Sequence, residues 1–147
     1  MRIDLSFGRG TLPLELPDDL DVTVVRKPAM PVLPDPGAAV ARALSRPVAA
    51  RPLAEEARGA RSAFILVCDV TRPVPNGLLL GPILRALLEA GLAPDRVRVL
   101  VATGLHRPNL GAELGEVIGD PSVLRTVSVE NHDARDDAAH LDLGATA

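Results

Sequence analysis

The sequence has no tryptophan and no tyrosine, and Phe7 and Phe64 are its only aromatic residues. Stacked-base recognition and aromatic cages for cations therefore have little to build on. The core must come from Leu, Val, Ile and Ala. Lysine is almost as scarce: all 16 basic residues but Lys27 are arginine. They are scattered and outnumbered by 19 acids, for a net charge of -3. That is not the basic footprint of a nucleic-acid binder. Cys68 is the single cysteine, so no intrachain disulfide can form. At the end of an apolar run it is expected to be an inert core thiol. No apolar run approaches the roughly 20 residues of a membrane helix, and MRIDLSFGRG carries acid and glycine where a signal peptide needs an apolar stretch. The expectation is a soluble, cytoplasmic protein with no nucleic-acid or membrane partner.

What is present is apolar substance and punctuation. The 147 residues are 47% hydrophobic, and a chain of this length buries roughly 68–70% of its unfolded surface. That suits a single domain over residues 1–147. RIDLSF (2–7) and TLPLEL (11–16) alternate polar and apolar residues around GRG, which predicts a hairpin. VTVV (22–25) is a third short strand candidate. KPAMPVLPDP (27–36) holds four prolines and reads as a stiff connector. Asp35-Pro36 then starts a helix to about Ser45, with an N-cap acceptor before a residue that needs no amide donor. PLAEEARG (52–59) reads as a shorter helix.

The second half alternates strand and helix. SAFILVC (62–68) reads as a strand covered on both faces. GLLLGPILRALLEAG (77–91) is a helix ending at Gly91, which Pro82 would bend or delay. RVRVLVA (96–102) is a strand, Asn109 caps a helix to about Ile118, and TVSVE (126–130) is a third strand. LDLG (141–144) could be a last one. The fold class predicted is α/β, a mainly parallel sheet with flanking helices and an N-terminal hairpin.

In an open parallel sheet, ligands bind beyond the carboxyl ends of the strands. The three second-half strands lead into DVTRPVP (69–75), TGLHRP (103–108) and NHDARD (131–136). If the strands are neighbours, Asp69, Arg72, His106, Arg107 and His132 converge on one rim. Arg72 offers a rigid fork of donors that matches a carboxylate or phosphate; the alternative is an ion pair, perhaps with Asp69. Asp69 could orient Arg72 or His106, accept a substrate hydroxyl, or cap the loop, with orientation favoured. Thr71 is either a turn hydroxyl or a donor to a ligand. An imidazole exchanges protons near neutrality, so His106 suits acid/base work. Thr103 and Gly104 could present hydroxyl and amide groups to an anion. His132 and His140, with Asp133, Asp136 or Asp137, match no compact zinc spacing, and a turn held by short polar side chains is favoured. No metal site is expected.

DVTRPVP, TGLHRP and ENHDARD in this order, after FGRG and LELPD, resemble the amino-terminal domain of the nickel-dependent lactate racemase family. The resemblance covers nearly the whole chain. It implies part of a 2-hydroxy acid racemase that uses a nickel-pincer nucleotide. In that family a histidine takes the hydroxyl proton while hydride moves from the α-carbon to the pyridinium ring. His106 resembles that histidine, Arg72 the arginine that holds the substrate, and Asp69 the acid that supports the loop. Thr71, Thr103 and Gly104 are the positions expected near the cofactor. The family's second catalytic histidine, tethering lysine and nickel-ligating histidine lie beyond ENHDARD and its following strand. Lys27 precedes the motifs and cannot match the tether. The expectation is an N-terminal domain, or part of one, that works with a C-terminal domain on a small 2-hydroxy carboxylate. The rival readings are a small-anion binding module without catalysis and a structural partner domain.

Overall fold

A computed structural model describes residues 1–145. The chain divides into two compact units, Met1–Val32 and Leu33–Ala147.

The first unit is the expected hairpin. β1 (Arg2–Phe7) and β2 (Gly10–Glu15) pair antiparallel from Arg2 opposite Glu15 to Phe7 opposite Gly10. Gly8, at φ 56°, makes the tight turn between them. The Met1 amino group closes the open end, donating to the Leu16 carbonyl at 2.9 Å and to Asp18 at 2.7 Å. VTVV is not a strand. Its alternation is too short to bury a face, and among the described residues no strand pairs with it.

The second unit begins with α1 (Pro36–Ser45), where the Asp35 carboxylate accepts from the Ala38 amide at 2.9 Å and Pro36 opens the first turn. α2 (Leu53–Glu56) is a single turn. Then come β3 (Ala63–Cys68), α3 (Asn76–Glu89), β4 (Val97–Ala102), α4 (Ala112–Ile118), α5 (Pro121–Thr126) and β5 (Ser128–Asn131). The three strands are parallel in the order β3-β4-β5, with Cys68 opposite Ala102 and Val101 opposite Asn131. LDLG carries no strand. Pro82 does not delay α3, which starts at Asn76 and runs through it.

The core lies on one side of this sheet. Leu80, Leu84 and Leu87 recur along one face of α3 and meet Val97, Val99 and Val101, which alternate along β4. Val117, Ile118, Val123 and Val127 complete it. Gly77 and Gly119 let α3 approach the end of α4: a Cβ on Gly77 would stand 2.6 Å from the Gly119 carbonyl oxygen. Gly119 ends α4 in the left-handed conformation, at φ 68°. The Asn76 side chain ties the same junction by donating to the Val117 carbonyl at 2.8 Å.

Two expectations about β3 are corrected. It is not covered on both faces: Ala63, Ile65 and Val67 pack inward, whereas Phe64 is 58% and Leu66 67% exposed. Cys68, on the alternate set with Phe64 and Leu66, is exposed rather than a core thiol. The physical reason is that all the helices that follow the strands pack on a single face.

Candidate active site

The parallel register brings the ends of β3, β4 and β5 to one rim, and the loops beyond them carry the polar residues. Asp69 follows β3 directly and is only 5% exposed. Its Oδ1 accepts from the Thr71 hydroxyl at 2.6 Å and the Thr71 amide at 3.1 Å. Its Oδ2 meets Nδ1 of His106 at 2.5 Å. The Thr71 hydroxyl is the largest influence holding the Asp69 carboxyl below its ordinary value, followed by His106; burial opposes both. A buried carboxylate that accepts from three donors stays ionised. It favours the tautomer with the proton on Nδ1, which leaves Nε2 as the ring nitrogen able to take a proton.

The loop after Asp69 is stiff because of its prolines. Val74 donates to the Arg72 carbonyl and Asn76 to the Val74 carbonyl, each at 2.8 Å, so Pro73 and Pro75 each sit at the centre of a three-residue turn. Pro75, at φ -78° and ψ 60°, has inverse γ-turn geometry. Arg72 touches Asp69 through the backbone, its amide donating to the Asp69 carbonyl at 3.1 Å. No ion pair joins the two side chains among the described contacts, because both carboxylate oxygens are already engaged by Thr71 and His106. Arg72 borders a hollow of about 220 Å³ together with Cys68, Asp69, Thr71, Ala102, Thr103, Gly104, Leu105 and His106.

Thr103 is buried, and its hydroxyl donates to the His132 carbonyl at 2.7 Å. It thereby stitches the end of β4 to the end of β5. Gly104 has φ 56°, and a Cβ built there would meet nothing within 4 Å. The turn needs glycine for its backbone conformation, and the space beside it is open. Within the turn the His106 amide donates to the Thr103 carbonyl at 3.0 Å.

Asn109 is not the helix cap that its place in the sequence suggests; the N-cap of α4 is Gly111. It is 1% exposed and joins three segments. Its Oδ1 accepts from the Val70 amide at 3.3 Å, and its Nδ2 donates to Glu113 at 2.9 Å. Its backbone exchanges two hydrogen bonds with the Asn131 side chain, at 2.9 and 3.0 Å. The loops carrying Asp69 and His106 are thus fastened to each other and to β5. These partners lie 22 and 39 residues from Asn109, which no local pattern could reveal.

Arg107 and His132 do not join the hollow. Arg107 forms a two-pronged pair with Glu113 at 2.6 and 2.8 Å. That pair, and then the Asn109 amide, lowers the Glu113 pKa to about 2. His132 turns its Nε2 toward Nε2 of His140, 3.0 Å away, and Nδ1 of His140 lies 2.6 Å from the Asp136 carbonyl oxygen. Asp133 and Asp136 close local turns through the Arg135 and Ala138 amides. Among the described residues no group of three or more His, Cys, Asp and Glu is placed to hold a metal ion. Among them, too, no helix is long and apolar enough to cross a membrane.

Residues 7–147 match the family model of the lactate racemase N-terminal domain. The chain belongs to this family. It is 36% identical over 106 residues to a lactate racemase of Lactiplantibacillus plantarum, covering 71% of this chain and 24% of that protein. It is 30% identical over 135 residues to a lactate racemase of Thermoanaerobacterium thermosaccharolyticum, covering 90% of this chain and 31% of that one. The solved lactate racemase apoprotein from the latter organism superposes with a TM-score of 0.72 at 26% identity, over 94% of this chain and 31% of its own. The chain therefore spans less than a third of the length of each of these lactate racemases. The α/β architecture and its opening hairpin agree with that solved relative.

Proposed function

We propose that this chain is the proton-transferring and carboxylate-binding part of a lactate-type 2-hydroxy acid racemase. The observation that carries the reading is the Asp69–His106 pair, beside Arg72, at the carboxyl ends of parallel strands in a lactate racemase family member. Asp69 keeps the proton on Nδ1, and Nε2 of His106 takes the substrate hydroxyl proton and later returns it. The Arg72 guanidinium grips the substrate carboxylate with two parallel donors and so orients the α-hydroxyl toward the imidazole. Gly104 leaves room for the substrate or for a bound nucleotide to come close to the backbone. Thr71 and Thr103 contribute mainly by holding Asp69 and the β5 end, since their hydroxyl protons go to Asp69 and to the His132 carbonyl.

Turning a 2-hydroxy acid into its planar 2-keto acid also requires that the α-hydrogen leave with its electron pair. This chain does not fit the group that would receive it. Lys27, its one lysine, stands in the proline-rich stretch 27–36 and precedes the DVTRPVP and TGLHRP motifs. The described residues offer no cluster for nickel. A nickel-pincer nucleotide would be held by the C-terminal remainder of a longer racemase, which is the partner this reading assigns to the chain.

The test is racemisation of lactate by a full-length protein carrying this chain, with and without His106→Asn. The expected result is a rate lower by about 10²–10⁴-fold, the usual contribution of a general acid–base group, with nickel content unchanged. Undiminished turnover would remove His106 from the chemistry. If Arg72 variants then still lost carboxylate binding, the chain would be a carboxylate-binding module. The 147-residue chain alone, given nickel and the nucleotide, is expected not to racemise lactate, and sustained loss of optical activity would overturn that assignment of parts.

A further inference from the structure

We propose that the free edge of β3 and the open sheet face beside it seat a further parallel strand and an apolar crossover helix, both supplied by the remainder of a longer lactate racemase polypeptide. This rests on the reading that the chain works within such a polypeptide, and adds where and how the remainder docks. β3 is bonded to β4 on one side only and has no strand on its other side among the described residues. It carries none of the devices that blunt a permanent edge: AFILVC has no charge, no proline and no bulge. Its residues are apolar on both faces, as in strands of parallel sheets covered on both sides. Yet Phe64 and Leu66 stand exposed, and Leu100 of β4 is only half-buried on the same face.

Topology explains the vacant face. Strand order follows chain order from β3 to β5, so right-handed crossovers put α3, α4 and α5 on one side. A crossover reaches the opposite side only if the chain returns past β3 and extends the sheet there. The open face is polarised to match. Glu130 of β5 draws Arg98 of the central β4 to 3.6 Å, while β3, at the other edge, offers only the apolar Phe64 and Leu66 with Cys68. The relatives contain the necessary polypeptide, since more than two thirds of each lies outside the match. Such an addition would make β3 the point where strand order reverses, and ligand crevices open at such points. The added strand would end beside Asp69 and supply the missing wall of the hollow.

Cys68, the only thiol, reports on this surface. We would measure its labelling by a small disulfide reagent in the 147-residue chain and, by peptide mass spectrometry, in the full-length racemase. Hydrogen exchange of residues 63–68 would be followed in both. The chain alone should react as an exposed thiol does. The full-length protein should react about 100-fold or more slowly, as for a site reached only by local opening. Leu66→Glu should leave the circular dichroism of the chain alone unchanged while restoring Cys68 labelling in the full-length protein. Equal labelling and exchange in the two proteins would overturn the proposal. Protection that appears in the chain alone and grows with its concentration would also overturn it, assigning the face to a second copy. None of these readouts needs activity, so a protected but inactive full-length protein would count against the racemase reading and leave the docking surface standing.

Discussion

Replacing Asp69 by asparagine should separate the charge of this residue from its shape. An asparagine keeps one acceptor and the same outline. With its oxygen in the place of Oδ1, both bonds from Thr71, at 2.6 and 3.1 Å, survive. The amide nitrogen then faces Nδ1 of His106, where the carboxylate oxygen stood at 2.5 Å. An amide NH₂ donates, so Nδ1 must accept and the ring proton moves to Nε2. The tautomer able to take a proton at Nε2 is lost although the fold is kept. A hydrogen bond to a charged group is worth about 1.5–3 kcal/mol. His106 is 55% exposed, so water screens the pair and the stability loss should fall below that range, at about 1 kcal/mol. Activity should suffer more, by about 10²–10⁴-fold in the proposed full-length racemase. Urea unfolding of the chain measures the first quantity and racemisation kinetics the second, with ¹⁵N spectra of the His106 ring reporting the tautomer. A ring that still carries its proton on Nδ1, together with undiminished racemisation, would refute the orienting role of Asp69.

Arg72→Lys keeps the charge and loses the planar fork, so in the full-length racemase it should raise KM for the hydroxy acid and also slow turnover through misalignment; unchanged kinetics would remove the carboxylate-gripping role. The Glu113 carboxyl should titrate at about 2, against an ordinary 4.5, because Arg107 and then Asn109 bond to its charged form. Its depressed pKa means that the stability it contributes is complete above 4.5 and is lost as pH falls toward about 2; Asp69, also depressed, acts in the same direction. Arg107→Ala should move the Glu113 midpoint upward in a carboxyl ¹³C titration, and an unmoved midpoint would contradict the pair. Gly77→Ala puts a methyl group 2.6 Å from the Gly119 carbonyl oxygen, so α3 or the end of α4 must shift. A cost of about 1–3 kcal/mol is expected from such overpacking, and an unchanged urea midpoint would show that the junction yields freely.

Much of this protein is decided locally, by preferences that are legible in short stretches of the chain. The alternation of apolar runs in β3 and β4, the spacing of Leu80, Leu84 and Leu87, and the Asp35-Pro36 start of α1 each reflect a physical preference that acts over a few residues. The same Asp-Pro signal stands at 120–121, where Asp120 caps α5 by accepting from the Ser122 amide, and it could have been read there too. A mainly parallel sheet followed from the alternation of strands and helices; that β3, β4 and β5 are neighbours, and that the 69–75 and 103–108 loops meet, came with the tertiary structure. Tertiary structure decided the rest. VTVV has strand composition but no strand to pair with among the described residues. AFILVC reads as buried on both faces because composition records what a strand can bury and not what lies beside it, so the exposure of Phe64, Leu66 and Cys68 could not be read from their own segment. The engagement of Arg107 by Glu113, and of Asp69 by His106 rather than Arg72, depends on side-chain geometry. Asn109 is the clearest case: its partners Val70 and Asn131 are distant in sequence and become neighbours only when β3, β4 and β5 lie side by side, because hydrogen bonds act over ångströms in space whatever the separation along the chain.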